Sequence, residues 1–266
     1  DGFVVNTDGE VNGSSDTYTS WNWKANGAGS ANTDGSISST VSASATSGFS
    51  IVKWSGTGAT GTVGHGLGVA PSVVIVKQLT GTGAWYSYFK PLGNGNAIVL
   101  NTTGTFASTG IWNSTSPTNQ VFSVINNSVV NASGSDYIAY CFADVQGFSK
   151  IGSYTGGGNN FPFIYTGFKP GFVLIKNYVS SGWDWSMSDI PRDNEGGINS
   201  VGKRLAPNVS QAEYSNTSYA NIQKLSNGFT FNTNNTEING QGENYIYMAF
   251  AKAPLVGSNN VPANAR

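Results

Sequence analysis

Apolar residues in this chain alternate with small polar ones in short runs, and Gly, Asn or Ser interrupts each run within a few positions. A period of two is the strand signature, and no stretch sustains the 3.6-residue period of a helix. Three segments share one version of the pattern: GFVVNTDGEVNGSSDTYTSWNW at Gly2–Trp23, VFSVINNSVVNASGSDYIAYCF at Val121–Phe142 and GFTFNTNNTEINGQGENYIYMAF at Gly228–Phe250. Phe3, Phe122 and Phe229 begin it, Asn12, Asn131 and Asn239 lie in its turn, and Tyr18, Tyr137 and Tyr245 begin its second arm. Two alternating arms about a Gly/Asn/Ser turn predict a β-hairpin in each case.

Other stretches recur as well. GFSIVKWSGTG from Gly48 matches GFSKIGSYTGGG from Gly147, and GLGVAPSVVIVK (Gly66–Lys77) matches TGFKPGFVLIK (Thr166–Lys176). In the second pair Pro71 answers Pro170 and Lys77 answers Lys176, and a β-branched run follows each proline. Pro cannot donate to a sheet ladder, so it suits a strand's first residue. Trp85 then answers Trp185, or Trp183 with one residue lost.

The chain therefore reads as repeats. Residues 1–24 are the closing hairpin of an earlier repeat, residues 25–47 a linker, residues 48–146 one repeat, residues 147–254 a second, and residues 255–266 a tail. Within the Gly/Ala/Ser/Thr-rich linker, SISSTVSA has the pattern of an edge strand. About seven short strands per hundred residues suit two packed sheets, so the fold class is all-β, as tandem β-sandwich repeats. Pro71 should superpose on Pro170, Val74 on Val173 and Tyr137 on Tyr245. The leading hairpin lacks the opening strands of its own repeat. A lone hairpin is marginal in water, so Phe3, Val5, Trp21 and Trp23 are expected to pair outside residues 48–254: with sequence beyond Asp1, with the Ser36–Ser42 strand, or with another subunit.

Composition narrows the function classes. The 38% apolar and 12% aromatic content can build cores, whereas disordered chains are poor in both. Charged residues are only 10%, with a net charge of −1, against about 25% charged in typical domains. No Lys/Arg cluster supplies the footprint for nucleic acid or an anionic membrane. No run approaches the roughly 18 apolar residues of a membrane span.

The chemistry-bearing residues are sparse. His65 is the single histidine and Cys141 the single cysteine, so neither a multi-His metal site nor an internal disulfide can form. His65 reads as a turn histidine bonded to a nearby carbonyl, with Ile164 at the aligned place in the second repeat. Cys141 reads as a small buried side chain, with Asn22 and Ala249 as counterparts. Asp184, Asp189, Asp193 and Glu195 form the one dense acidic stretch on which paired-carboxylate glycan cleavage would rest. The first repeat has no such cluster. NTDG at Asn6–Gly9 and at Asn32–Gly35 reads as Asp-Gly turns, with too few carboxylates for calcium. The Gly-rich stretches lack the GK[ST] and helix start of a phosphate loop. No catalytic residue, metal ligand or cofactor is expected.

The aromatics remain. Phe3, Tyr18, Trp85, Phe122, Tyr137, Phe142, Phe229, Tyr245 and Phe250, with Pro71 and Pro170, recur between repeats and are expected in equivalent cores. Trp112, Tyr86, Tyr88, Trp183 and Trp185 are the candidates for stacking on glycan or on a neighbouring subunit.

In combination, NASGSDYIAYCFADVQGFSKIGSYTGGG, FIYTGFKPGFVLIK, SNGFTF…YIYMAFAKAP and the ending VPANAR resemble an uncharacterised repeat family of marine bacteriophage virion proteins. The resemblance covers nearly the whole chain and implies jelly-roll or lectin-like β-sandwich segments of a tail fibre or related appendage. It transfers no enzymatic residue. The expected function is thus a non-enzymatic structural or adhesive module on the virion surface, a candidate for contact with host-surface polysaccharide. The expected partners are other virion proteins and copies of itself in a homotrimer. A glycan-degrading appendage enzyme and a capsid decoration or head-fibre protein are the alternatives.

Overall fold

The computed structural model describes residues 3–190, 203–215 and 221–253. The fold is all-β, built from antiparallel sheets packed face to face. In the first repeat an eight-stranded sheet runs in the order Ser30–Asn32, Ser39–Ser44, Phe49–Ser55, Asp136–Phe142, Val73–Gln78, Tyr86–Phe89, Asn96–Val99, Ala107–Ser108. A small sheet of Gly61–Gly64 and Val121–Val124 faces it. In the second repeat the four-stranded sheet is Ser149–Thr155, Asn244–Ala251, Pro170–Asn177, Ser186–Asp189, and the facing sheet is Ile164–Tyr165, Gly228–Phe231, Ile222–Leu225.

The repeats share one strand order: opening strand, closing strand, Pro-initiated strand, Trp strand. Their registers agree residue for residue. Val74 lies opposite Cys141 and Val173 opposite Ala249. Trp54 lies opposite Tyr137 and Tyr154 opposite Tyr245. The Trp strands pair Tyr88 with Val74 and Ser188 with Val173, which makes Trp185, not Trp183, the counterpart of Trp85.

Alternation along these strands feeds two cores at once. On Asn244–Ala251, Tyr245, Tyr247 and Ala249 point into the second repeat's own core beside Ile164, Phe229 and Phe231, as do Val173 and Ile175 of the Pro-initiated strand. Ile246, Met248 and Phe250 point the other way. There they meet Phe49, Val73, Ile75, Phe89 and Phe142 of the first repeat in one continuous cluster. The central strands of the large sheets are therefore buried on both faces, and the two sandwiches form one stack with an apolar seam. This is why VVIVK and FVLIK are uninterrupted apolar runs. The seam, more than the short linker at Gln146, couples the repeats.

Three expectations are corrected. The arms of each predicted closing hairpin lie in different sheets: Val121–Val124 pairs with Gly61–Gly64, and Asp136–Phe142 pairs with Phe49–Ser55 and Val73–Gln78. The connection is too long for a tight turn, so the chain crosses from one sheet to the other over the core. Residues 3–25 contain no strand at all, only a four-residue helix at Gly9–Asn12. Phe3 and Tyr18 are exposed. Trp21 and Trp23 are covered within the chain, since Trp23 stands edge-on to Phe142, Phe172 and Phe250 at 5.7, 5.8 and 5.3 Å. In the tract read as a linker the expected strand within SISSTVSA does form, at Ser39–Ser44, but it lies inside the sheet, between Phe49–Ser55 and the edge strand Ser30–Asn32.

Candidate functional site

The closing connections are built identically from the residues upward. Asn127 and Asn235 cap a short helical turn by accepting from the Val129 and Glu237 N–H groups. The chain then runs to a tyrosine whose hydroxyl folds back over the turn. Ala132 N–H donates to Tyr137 Oη at 2.9 Å, and that hydroxyl donates to the Ser128 carbonyl at 2.8 Å. Gly240 N–H and the Thr236 carbonyl hold Tyr245 Oη in the same way. The segment at the chain's start repeats this in full. Asp8 caps Glu10, and Tyr18 Oη accepts from Gly13 N–H at 2.7 Å and donates to the Gly9 carbonyl at 2.8 Å.

Two clefts border this first segment. One, of about 840 Å³, is walled by Glu10, Asp16, Tyr18 and Thr19 on one side and by Lys203, Gln211 and Glu213 on the other. Lys203 pairs with Glu213 at 3.1 Å, which leaves the carboxylates of Glu10 and Asp16 as the remaining charges of the wall. The other, of about 320 Å³, lies between Ser20–Trp21 and Phe172, Asp189, Ile190 and Lys252. Carboxylates, an amide and an aromatic ring are what a hydroxyl-rich ligand such as a sugar recognises.

The aromatics singled out for stacking occupy other places. Trp112, Tyr88 and Trp185 are 2%, 3% and 1% exposed. Trp112 donates Nε1–H to the Asn96 carbonyl inside the first core. Trp185 lies in the seam, 5.8 Å from Phe89, and donates to the Val99 carbonyl. None of the three can stack on a glycan. Tyr86 packs partly buried against the first core. Trp183 is half-buried, and its carbonyl accepts from Lys176 Nζ at 2.9 Å. Trp185 does recur, as the counterpart of Trp85, and Tyr88 stands where the second repeat has Ser188; neither faces solvent.

The titratable residues are tied into the structure. His65 is buried; Leu67 N–H donates to its Nδ1, so the neutral ring carries its proton on Nε2, 3.1 Å from the Thr118 carbonyl. Desolvation lowers its pKa, with the Thr118 carbonyl and Asp34 opposing. Register moves its counterpart from Ile164 to Thr166: Val63 pairs with Phe122 as Ile164 pairs with Phe229, and Thr166 Oγ1 meets Phe168 N–H as His65 Nδ1 meets Leu67 N–H. Burial pushes the Cys141 thiol up to about 12, far from a reactive thiolate. Asp189 is buried and accepts from Trp21 Nε1 at 3.0 Å, and Asp184 accepts from Asn208 at 2.8 Å. Asp193 and Glu195 lie outside the described residues. Asp34 is held in its own turn by Asn32. Among the described residues no cluster of three or more His, Cys, Asp or Glu could hold a metal, and no helix is long and apolar enough to cross a membrane.

Sequence reading missed two buried cations. Lys176 is fully buried and donates to the Asn177, Trp183 and Thr103 carbonyls, the last from the first repeat across the seam. Burial lowers its pKa to about 8, against the opposing pull of Asp184 and Glu237. Its match in the first repeat, Lys77, makes the same bond to the following carbonyl. That recurrence was the available signal. Arg204 pairs with Glu237 in the interior and lies over the Tyr214 ring. Burial raises the Glu237 carboxyl to about 7 despite Arg204.

The family described as Domain of unknown function (DUF7483) matches residues 1–254. The chain belongs to this family. No curated protein and no solved structure matches it. The DUF7483 match runs unbroken through the leading segment, both repeats and the seam between them.

Proposed function

We propose that this chain is a non-enzymatic structural and adhesive module of a bacteriophage virion appendage, working as a homotrimer beside other virion proteins. The observation that carries the structural part is the seam: two sandwiches share a large apolar cluster and backbone bonds such as Gly182 N–H to the Thr103 carbonyl at 3.2 Å. A stack coupled in this way resists bending as one body, which suits a rod that bears load. The appendage setting rests on the resemblance of the repeat motifs to phage virion proteins. The cleft between Glu10, Asp16 and Tyr18 and the Lys203–Glu213 pair is the surface offered to host polysaccharide.

Immunogold labelling of purified particles tests the setting, with label expected on fibres or the tail and none on a particle-free fraction. Absence of the chain from particles overturns the reading. Incubation with host-surface polysaccharide tests the rest. Retention that weakens in Glu10→Gln or Glu213→Gln, with no sugar release, is expected. Release of reducing ends that disappears in Asp189→Asn would make the chain an enzyme.

A further inference from the structure

The leading segment is a closing connection whose opening strand is missing, and the two complete repeats show what that strand must be. In each complete repeat three consecutive backbone N–H groups of the opening strand land on the closing turn. Gly56, Thr57 and Gly58 donate to the Ser135 carbonyl, Asn131 Oδ1 and the Asn131 carbonyl at 2.7, 3.0 and 3.0 Å. Gly156, Gly157 and Gly158 donate to the Glu243 carbonyl, Asn239 Oδ1 and the Asn239 carbonyl at 2.8, 2.9 and 3.0 Å. The aromatic two residues earlier stacks on the corner tyrosine: Trp54 on Tyr137 at 5.4 Å and Tyr154 on Tyr245 at 4.8 Å. Glycine is required beside the ring, because a Cβ on Gly56 or Gly156 would run into the carbonyl oxygen of Ala132 or Gly240.

The same receptor stands preformed at the start of the chain. Its tyrosine bonds are made, and its three acceptors, the Asp16 carbonyl, Asn12 Oδ1 and the Asn12 carbonyl, meet no N–H donor among the described residues. Phe3, Val5, Val11 and Tyr18 are 64%, 40%, 50% and 49% exposed, whereas Phe122, Val124, Val130 and Tyr137 are 1%, 0%, 0% and 0%. We propose that residues 3–18 are a binding site for an extended peptide strand of sequence aromatic-x-Gly-x-Gly, supplied from outside residues 3–253, whose ring stacks on Tyr18 and whose three N–H groups bond to Asp16 and Asn12. The chain's own strands of that kind are consumed by Asn131 and Asn239, so the occupant is a further strand of a like repeat. Strand addition of this kind takes affinity from main-chain bonds and specificity from the pockets. The proposal does not depend on the virion setting.

The test uses the full chain and a labelled synthetic peptide with the sequence of residues 48–64, read by fluorescence anisotropy. Saturable binding is expected. It should weaken by about tenfold or more in Asn12→Ala and be lost with a peptide carrying Gly56→Val, a change that leaves the protein untouched. Hydrogen exchange should slow at Phe3–Val5 when the peptide binds. No binding up to about 1 mM peptide overturns the proposal. So does binding that Gly56→Val abolishes but Asn12→Ala leaves unchanged, which would report exchange with the strand of the first repeat, and so does binding indifferent to both changes, which would be non-specific. Self-association of the chain alone that Asn12→Ala abolishes also overturns it, because the occupant would then be a second copy.

Discussion

Residues 3–23 and residues 122–142 carry the same pattern and reach different ends. In both, an Asx-capped turn is held by a tyrosine hydroxyl with one N–H and one carbonyl. Only the second segment forms strands, and only its tyrosine is buried. The turn and corner are thus encoded within the segment itself, since every bond they need lies within about ten residues. Strands are not, because their ladder bonds and apolar faces belong to partners. Comparing the two separates what a local sequence specifies from what the rest of the fold must supply.

The largest expected difference between the segments comes from removing the corner ring. Tyr137→Ala and Tyr245→Ala should each lower unfolding free energy by about 3–5 kcal/mol, as large-to-small changes in a packed core do. Tyr18→Ala should shift it by about 0.5 kcal/mol or less, as changes at exposed positions do. Urea titration of the three variants reads this. Equal losses at all three sites would mean that Tyr18 is covered.

The apolar seam gives a second, smaller test. Trp21 and Trp23 stand in the alternating places that Tyr140 and Phe142 hold in the first repeat, and all four pack on the seam. Trp23→Ala should therefore cost about 1.5–3 kcal/mol, part of the full value for a core ring. A loss near zero would show the leading segment undocked at both ends.

Deleting only the hydroxyl isolates the corner. Tyr137→Phe keeps the ring and strands the Ala132 N–H and Ser128 carbonyl, at about 1–3 kcal/mol. In Tyr18→Phe the freed groups meet water, so global stability should hold, while Gly13 N–H exchanges faster. Unchanged exchange at Gly13 would remove the corner from the leading segment.

Much of the fold was legible because alternation and proline placement are local facts with global consequences. Val74, Val173 and their partners Cys141 and Ala249 follow from the β-branched runs after Pro71 and Pro170. The closing hairpins were misread because period-two patterning fixes which face a residue takes, not which strand it pairs with. Phe122 and Tyr137 do face one core, but from opposite sheets. The candidate contact aromatics failed for a related reason. A central sheet buried on both faces has no solvent side, so an aromatic with no aromatic counterpart in the other repeat, such as Tyr88 where the second repeat has Ser188, still goes inside. Asn12, Asn131 and Asn239 were visible as recurring turn residues, yet their role as strand receptors needed the Oδ1 contacts at Asn131 and Asn239.

The smallest expected effect distinguishes the two complete repeats by pH. His65 accepts from Leu67 N–H where Thr166 accepts from Phe168 N–H, so the first repeat carries a titratable group at a place where the second has none. Burial lowers the folded-state pKa of His65, so the unfolded chain takes up the proton first. Stability from the neutral ring is then fully present above the ordinary histidine value of about 6.5 and is lost as pH falls below it toward the lower folded value. Protonation also converts Nδ1 from acceptor to donor, which sets it against Leu67 N–H. His65→Gln keeps an acceptor without the titration. Between about pH 6.5 and 5 its unfolding free energy should fall less steeply than that of the parent chain, with hydrogen exchange of the Gly61–Gly64 strand showing the difference and that of Ile164–Tyr165 unaffected. Parallel pH curves for the two proteins would mean that His65 takes up its proton in the fold as readily as in the unfolded chain, so that its burial and its bond from Leu67 N–H do not oppose the charge.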